Sequence, residues 1–189
     1  MDVYGSHKGR EDTHGVPMTA DAKMRPARKM PAQKPGRSVQ TYATPRPFLE
    51  AVKRRFTILE FAYDLAAEPE TTAAKHFYCE EENSLAQDWT KIRGDLWLNP
   101  PFGSIAPWAE KCRVSRSPKG PRRIFFLTPA SIGSNWFAAD VWNYARVFAL
   151  QGRLSFDGRD PYPKDLILSV YGLPPGFEIW DVRDVARQR

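Results

Sequence analysis

Apolar residues in this chain come in short runs set apart by proline, glycine and charge, and the spacing within the runs changes along the sequence. In "TYATPRPFLEAVKRRF" Phe48, Leu49, Val52 and Phe56 fall on one side of a helix, with Lys53, Arg54 and Arg55 on the other. Thr44 is placed to cap that helix, and Pro45 suits its first position. "TILEFAYDLAAE" mixes β-branched and aromatic residues and predicts a buried strand ending near Asp64. "DLWL" predicts a short strand ending at Asn99, and "RRIFFLTPA" a third, apolar without alternation, as when helices cover both faces of a parallel strand. Between them "IAPWAEKCRV" and "SNWFAADVWNYA" read as helices, the second with Ser134 as its cap and Phe137, Val141 and Tyr144 at helical spacing. "ARVFALQGRLSF" and "DLILSVYG" leave no room for a helix between them, so they predict an antiparallel pair closing one edge of the sheet. "FEIWDV" either adds a terminal strand or packs as a tail. The order helix, strand, strand, helix, strand, helix predicts a doubly wound α/β sheet, mostly parallel, with an antiparallel edge hairpin.

Composition changes this picture at one end. Residues 1–40 hold eight Lys or Arg against four acids, which is four of the six net positive charges of the 189-residue chain. They contain neither Trp nor Phe and repeat Pro, Gly and Lys, as in "MRPARKMPAQKPGR", a composition that cannot bury enough surface to order itself. We therefore expect a disordered basic arm over 1–40 and one folded domain over 41–189. The arm lacks an apolar core of signal-peptide length and no later run reaches the length of a membrane span, so the expectation is a soluble, cytoplasmic protein with no membrane partner. Cys79 and Cys112 form no CxxC pair and have only His7, His14 and His76 as companions, which predicts neither a metal site nor a disulfide framework.

Candidate chemistry sits in "DLWLNPPFGSIAPW", residues 95–108. Two consecutive prolines after a strand remove two backbone donors and fix two φ angles, which makes a rigid loop. Ligands of open α/β sheets bind outside the carboxyl ends of the strands, where both Asp64 and the Asn99 loop fall. The Asn99 side chain and the Pro100 carbonyl then offer two fixed acceptors beside the flat wall of Phe102. That set suits a planar group bearing an NH₂.

Asn99-Pro100-Pro101-Phe102 matches the [Asn/Asp/Ser]-Pro-Pro-[Tyr/Phe] motif of amino methyltransferases that use S-adenosylmethionine. Its surroundings resemble the phage-type Dam family of DNA N6-adenine methyltransferases: "ATPRPFLEAV", "YDLAAE", "FYCEEENSLAQDW", "LWLNPPFGSIAPWAEKC", "FFLTPASIGSNWF" and "GRLSF" occur in that family's order, over residues 42–171. The resemblance implies a Rossmann-like class I methyltransferase sheet, S-adenosylmethionine as cofactor, no metal, and DNA as partner. It also implies a phage or prophage source and a role in DNA modification, restriction-modification included.

By the same resemblance Asn99, Pro100, Pro101 and Phe102 are the catalytic residues, with Asn99 and the Pro100 carbonyl accepting from the amine of an adenine turned out of the duplex. Phe102 and Phe156 would wall the base, and core packing accounts for Phe156 equally well. Thr44, Pro45, Asp64, Leu65, Ala66, Ala67, Asn83 and Leu85 align with cofactor segments, Asn83 standing where the family commonly has an acid. Here the chain departs from many methyltransferases in lacking a glycine-rich turn after its first strand. The Asn-Pro-Pro-aromatic loop also serves cytosine N4, RNA adenine and protein glutamine, and a non-catalytic DNA-binding descendant would keep the basic arm as its main contact. Deletion of residues 1–40 is expected to leave the circular dichroism and melting of the body unchanged, while DNA affinity weakens and its salt dependence becomes shallower.

Overall fold

The computed structural model describes residues 43–156 and 160–182. The arm assigned to residues 1–40 lies outside them. Helix α1 (Arg46–Phe56) forms where the apolar spacing predicts it and buries Phe48, Leu49, Ala51 and Val52. Thr44, however, does not cap it: Pro45 holds the capping position without any side-chain hydrogen bond, and its carbonyl accepts from the Phe48 and Leu49 amides. The reason lies in Pro47, which stands in the first turn and has no N–H to leave unsatisfied.

The chain leaves α1 through Thr57 in the left-handed region (φ 52°) and reaches β1, which is only Tyr63–Asp64. The expected longer strand is absent because Leu59 and Glu60 are exposed and Phe61 already bridges to Ala74 on the other side. Two 3₁₀ turns, Ser84–Ala86 and Trp89–Lys91, lead into β2 (Asp95–Leu98). Helix α2 (Ala106–Val114), β3 (Arg123–Pro129) and α3 (Asn135–Asp140) follow. Ser134 caps α3 as expected, its hydroxyl accepting from the Phe137 amide. Tyr144 does not continue the helical face, because Asn143 at φ 60° turns the chain out of α3 and leaves Tyr144 half exposed.

Three last strands, β4 (Ala145–Gln151), β5 (Leu166–Tyr171) and β6 (Gly176–Asp181), complete a six-stranded sheet of order β1-β2-β3-β5-β4-β6. Only β5 runs antiparallel to its neighbours, β3 and β4; the pairings β1–β2, β2–β3 and β4–β6 are parallel. The hairpin of β4 and β5 is thus interior and does not close an edge. Every residue of β5 is buried, which an edge strand cannot achieve, and the edge falls to β6, whose Phe177 and Ile179 are exposed while Trp180 is buried. Among the described residues no helix is long and apolar enough to cross a membrane.

Alternation along the central strands divides the core in two. Trp97, Phe125 and Leu127 point to the α1 face with Phe48 and Val52, whereas Leu96, Leu98, Ile124 and Phe126 point to the face covered by Ala109 and Cys112 of α2 and Phe137 of α3. The amino end of the sheet is locked by a pair in register: Asp95 opens β2, Arg123 opens β3, and the guanidinium reaches the carboxylate with both Nε and Nη2 at 2.7 Å. Its Nη1 also donates to the Phe56 carbonyl at the end of α1, 3.1 Å away.

Both partners are buried, so removing one strands the other. Arg123→Met is expected to cost about 3–5 kcal/mol of unfolding free energy, and the double variant Asp95→Leu/Arg123→Met to recover much of that loss, as read from urea denaturation.

Candidate active site

β1 and β2 are parallel and in register, Tyr63 against Leu96 and Asp64 against Trp97, so their carboxyl ends open at the same edge. The ladder runs one step past β1, where the Leu65 amide donates to the Trp97 carbonyl at 2.9 Å. A second run, residues 76–78, lies along the other side of Asp64: its amide donates to the His76 carbonyl and its carbonyl accepts from the Tyr78 amide. Held between these neighbours, Leu65, Ala66 and Ala67 form one wall of a cleft of about 420 Å³. Asn99 and Pro101 form another, directly after β2. Asn83 contributes the rim; it is exposed, with a left-handed backbone at φ 46°.

The remaining residues singled out in the sequence do not line the cleft. Asp64 is 3% exposed and turned to the backbone: one oxygen accepts from the Ala66 amide at 3.3 Å and the other from the Ala73 amide at 2.8 Å. Burial pushes its pKa from 3.8 up to about 7, against the opposing pull of those two amides and of Arg46. Leu85 gives its carbonyl to Lys111 Nζ of α2 at 3.0 Å, and Thr44 is buried before α1. Pro100 is buried, and the Asn99 Oδ1 atom is shielded from water.

Phe102 leaves the cleft for the α1 side of the sheet. There it meets Phe156 edge-on with ring centres 6.4 Å apart, and Tyr162 at 5.7 Å, while Phe156 and Tyr162 meet at 5.4 Å. The structure thus brings Phe102 and Phe156 together, and it adds Tyr162. Sequence reasoning also missed Ser84, Tyr78 and Trp108, which line the cleft with Glu68 and Glu80. Trp108 is marked in the sequence only by its place in the α2 segment, and Ser84 only by its neighbour Asn83. Among the described residues no three His, Cys, Asp or Glu side chains gather as a metal site would require.

An α/β sheet with a cleft across its strand ends and a fixed Asn-Pro-Pro-Phe loop between that cleft and an aromatic cluster is an arrangement suited to a planar amine. The family of DNA N-6-adenine-methyltransferase (Dam) matches residues 32–165 of the chain. The chain belongs to that family, and methylation of adenine N6 in DNA is its function. No curated protein sequence matches it. Nothing favours cytosine N4, RNA or protein glutamine as acceptor, or a non-catalytic role.

Asp64 has a testable electrostatic signature. Because its folded pKa lies above the ordinary 3.8, the folded chain holds the proton more tightly than the unfolded chain. Its contribution to stability is full below pH 3.8 and is lost as the pH rises towards 7. Relative to Asp64→Asn, which does not titrate, the parent protein is expected to lose up to about 4 kcal/mol between those limits in urea denaturation at stepped pH.

Proposed function

We propose that the cleft beside β1 takes S-adenosylmethionine, that an adenine turned out of DNA enters on the Phe102 side, and that Asn99 acts at the boundary between the two. The observation that carries this reading is the position of one loop: Asn99 and Pro101 line the cleft, and Phe102, one residue on, belongs to the aromatic cluster. The cleft residues fit the cofactor. Leu65 and Trp108 supply apolar wall, Ala66 and Ala67 permit close approach, and Ser84 offers a buried hydroxyl without a partner among the described residues. When bound, S-adenosylmethionine supplies an electrophilic methyl group on a sulfonium.

The chain's own residues hold the amine. Asn99 Oδ1 and the Pro100 carbonyl accept from the two N6 hydrogens and so direct the nitrogen lone pair out of the plane of the purine; the proton released on transfer leaves to water. Phe102 stacks on the base, a contact worth about 1–3 kcal/mol. Asp64 works at one remove, holding the Ala66 and Ala73 amides and with them the cofactor wall. In this reading the sheet is a Rossmann-like methyltransferase sheet and the basic segment of residues 1–40 adds salt-sensitive phosphate contacts. The enzyme works in a bacterial cytoplasm as a phage- or prophage-encoded protein; the family match supports the DNA methylation and not the source or location.

Asn99→Ala is expected to lower the methylation rate about 10²- to 10³-fold while cofactor affinity and melting temperature hold, since the lost contact acts only on the reacting amine. Asn99→Asp keeps an acceptor oxygen and retains part of the activity. Labelled S-adenosylmethionine, duplex DNA and nucleoside analysis supply the measurement; a folded, cofactor-binding Asn99→Ala protein with the parent's rate would overturn the assignment.

A further inference from the structure

Ser84 is 4% exposed, lines the cleft, and its Oγ has no hydrogen-bond partner among the described residues. A buried hydroxyl in that state is destabilising, so its persistence in a cleft calls for a ligand group to complete it. Its backbone cannot turn aside to find one. The Ser84 carbonyl accepts from Trp89 Nε1 at 3.0 Å and from the Gln87 amide at 3.1 Å, and the next carbonyl, that of Leu85, is held by Lys111 Nζ at 3.0 Å. Lys111 in turn sits 5.6 Å from the centre of the Trp89 ring.

The same network fixes a flat wall. Trp108, one helical turn before Lys111 on α2, lines the cleft and stacks on Trp89 with ring centres 6.2 Å apart and planes 28° from parallel. An aromatic face and one immobile hydroxyl in the same cleft suit a planar heterocycle with a polar edge. Of the donor's parts, the purine alone is a flat ring that can lie along that face over its whole plane while presenting a polar edge. Asn83, the residue that sequence reasoning chose for this task, is exposed on the rim with its backbone in the left-handed region.

We propose that Ser84, and not Asn83, reads the purine of the methyl donor, its Oγ accepting from the exocyclic amine while Trp108 covers the ring face. This rests on the cleft taking S-adenosylmethionine. The test is a cycle between protein and ligand: calorimetric titration of the full chain, parent and Ser84→Ala, with S-adenosylhomocysteine and with the analogue whose purine lacks the 6-amino group. The parent is expected to prefer the adenine compound, Ser84→Ala to lose about tenfold of its affinity for that compound, and the analogue to bind both proteins alike.

Asn83→Ala should keep the parent's preference. Without ligand, Ser84→Ala should melt no lower than the parent, because it deletes a hydroxyl that has no partner among the described residues. Ser84→Gly, which also lacks the hydroxyl, repeats the titration should the alanine variant fail to fold. Equal weakening of both compounds, or an unchanged preference in the Ser84 variants, overturns the proposal by placing the hydroxyl against another part of the ligand or against none. A parent protein that binds neither compound overturns the cofactor reading itself, and this proposal with it.

Discussion

The parallel register of β1 on β2 is the constraint from which the site follows. With Asp64 opposite Trp97, the two chains leave the sheet side by side, so Leu65 to Ala67 and Asn99 to Pro101 become facing walls instead of distant loops. So short a β1 could not hold that register by its own ladder. It is pinned from both sides, by the Leu65–Trp97 bond towards β2 and by the His76 and Tyr78 bonds on the other flank. Close approach at the entry helps: Gly94, at φ 102°, lets the turn into β2 pass so near β1 that a Cβ there would come within 2.9 Å of Ala62 Cβ.

The two ends of the sheet treat polar burial in opposite ways. At the amino end the Asp95–Arg123 pair is complete, each charged oxygen and two guanidinium nitrogens matched at 2.7 Å, and it ties β2, β3 and α1 together. At the carboxyl end burial disfavours the charge of Asp64 despite its two amides, and Ser84 Oγ has no partner among the described residues. Incomplete satisfaction is expected where a ligand is to be received, since a site that had already paired its polar groups would have nothing to offer one. The complete ion pair therefore lies at the end of the sheet away from the cleft.

Much of this was readable in the residues. The apolar face of α1, the Ser134 cap, β2, β3 and the placement of the Asn99 loop all follow from local pattern, because each depends on neighbours three or four positions away or on a strand buried on both faces. The Thr44 cap and the helical place of Tyr144 failed on their neighbours Pro47 and Asn143; the other failures depended on partners remote in sequence. Continuous burial in "LILSVY" was the sign of an interior strand, the same sign that located "RIFFLTP", yet the short connection to β4 suggested an edge hairpin. The rule about connections lost to the rule about burial, since β6 was available to take the edge. Tyr162 and Trp108 show no signal of their own: one lies between prolines in a loop and the other on a helix, and only the fold brings them to Phe102 and to the cleft.

The prolines of the motif do more than stiffen a turn. An asparagine at a strand end ordinarily closes an Asx turn, its side-chain oxygen accepting from the amide two residues on. Here that residue is Pro101, and the one between is Pro100, so neither has an N–H to give. The Asn99 oxygen therefore cannot close an Asx turn on the two residues that follow it, and the Pro100 carbonyl, in a loop with fixed φ, keeps its direction as well. Any other residue at position 101 would restore a donor at the place where the side chain most readily folds back. The double proline thus removes the nearest backbone competitors for that acceptor, and the aromatic residue that follows is placed on the opposite side of the sheet, against Phe156 and Tyr162.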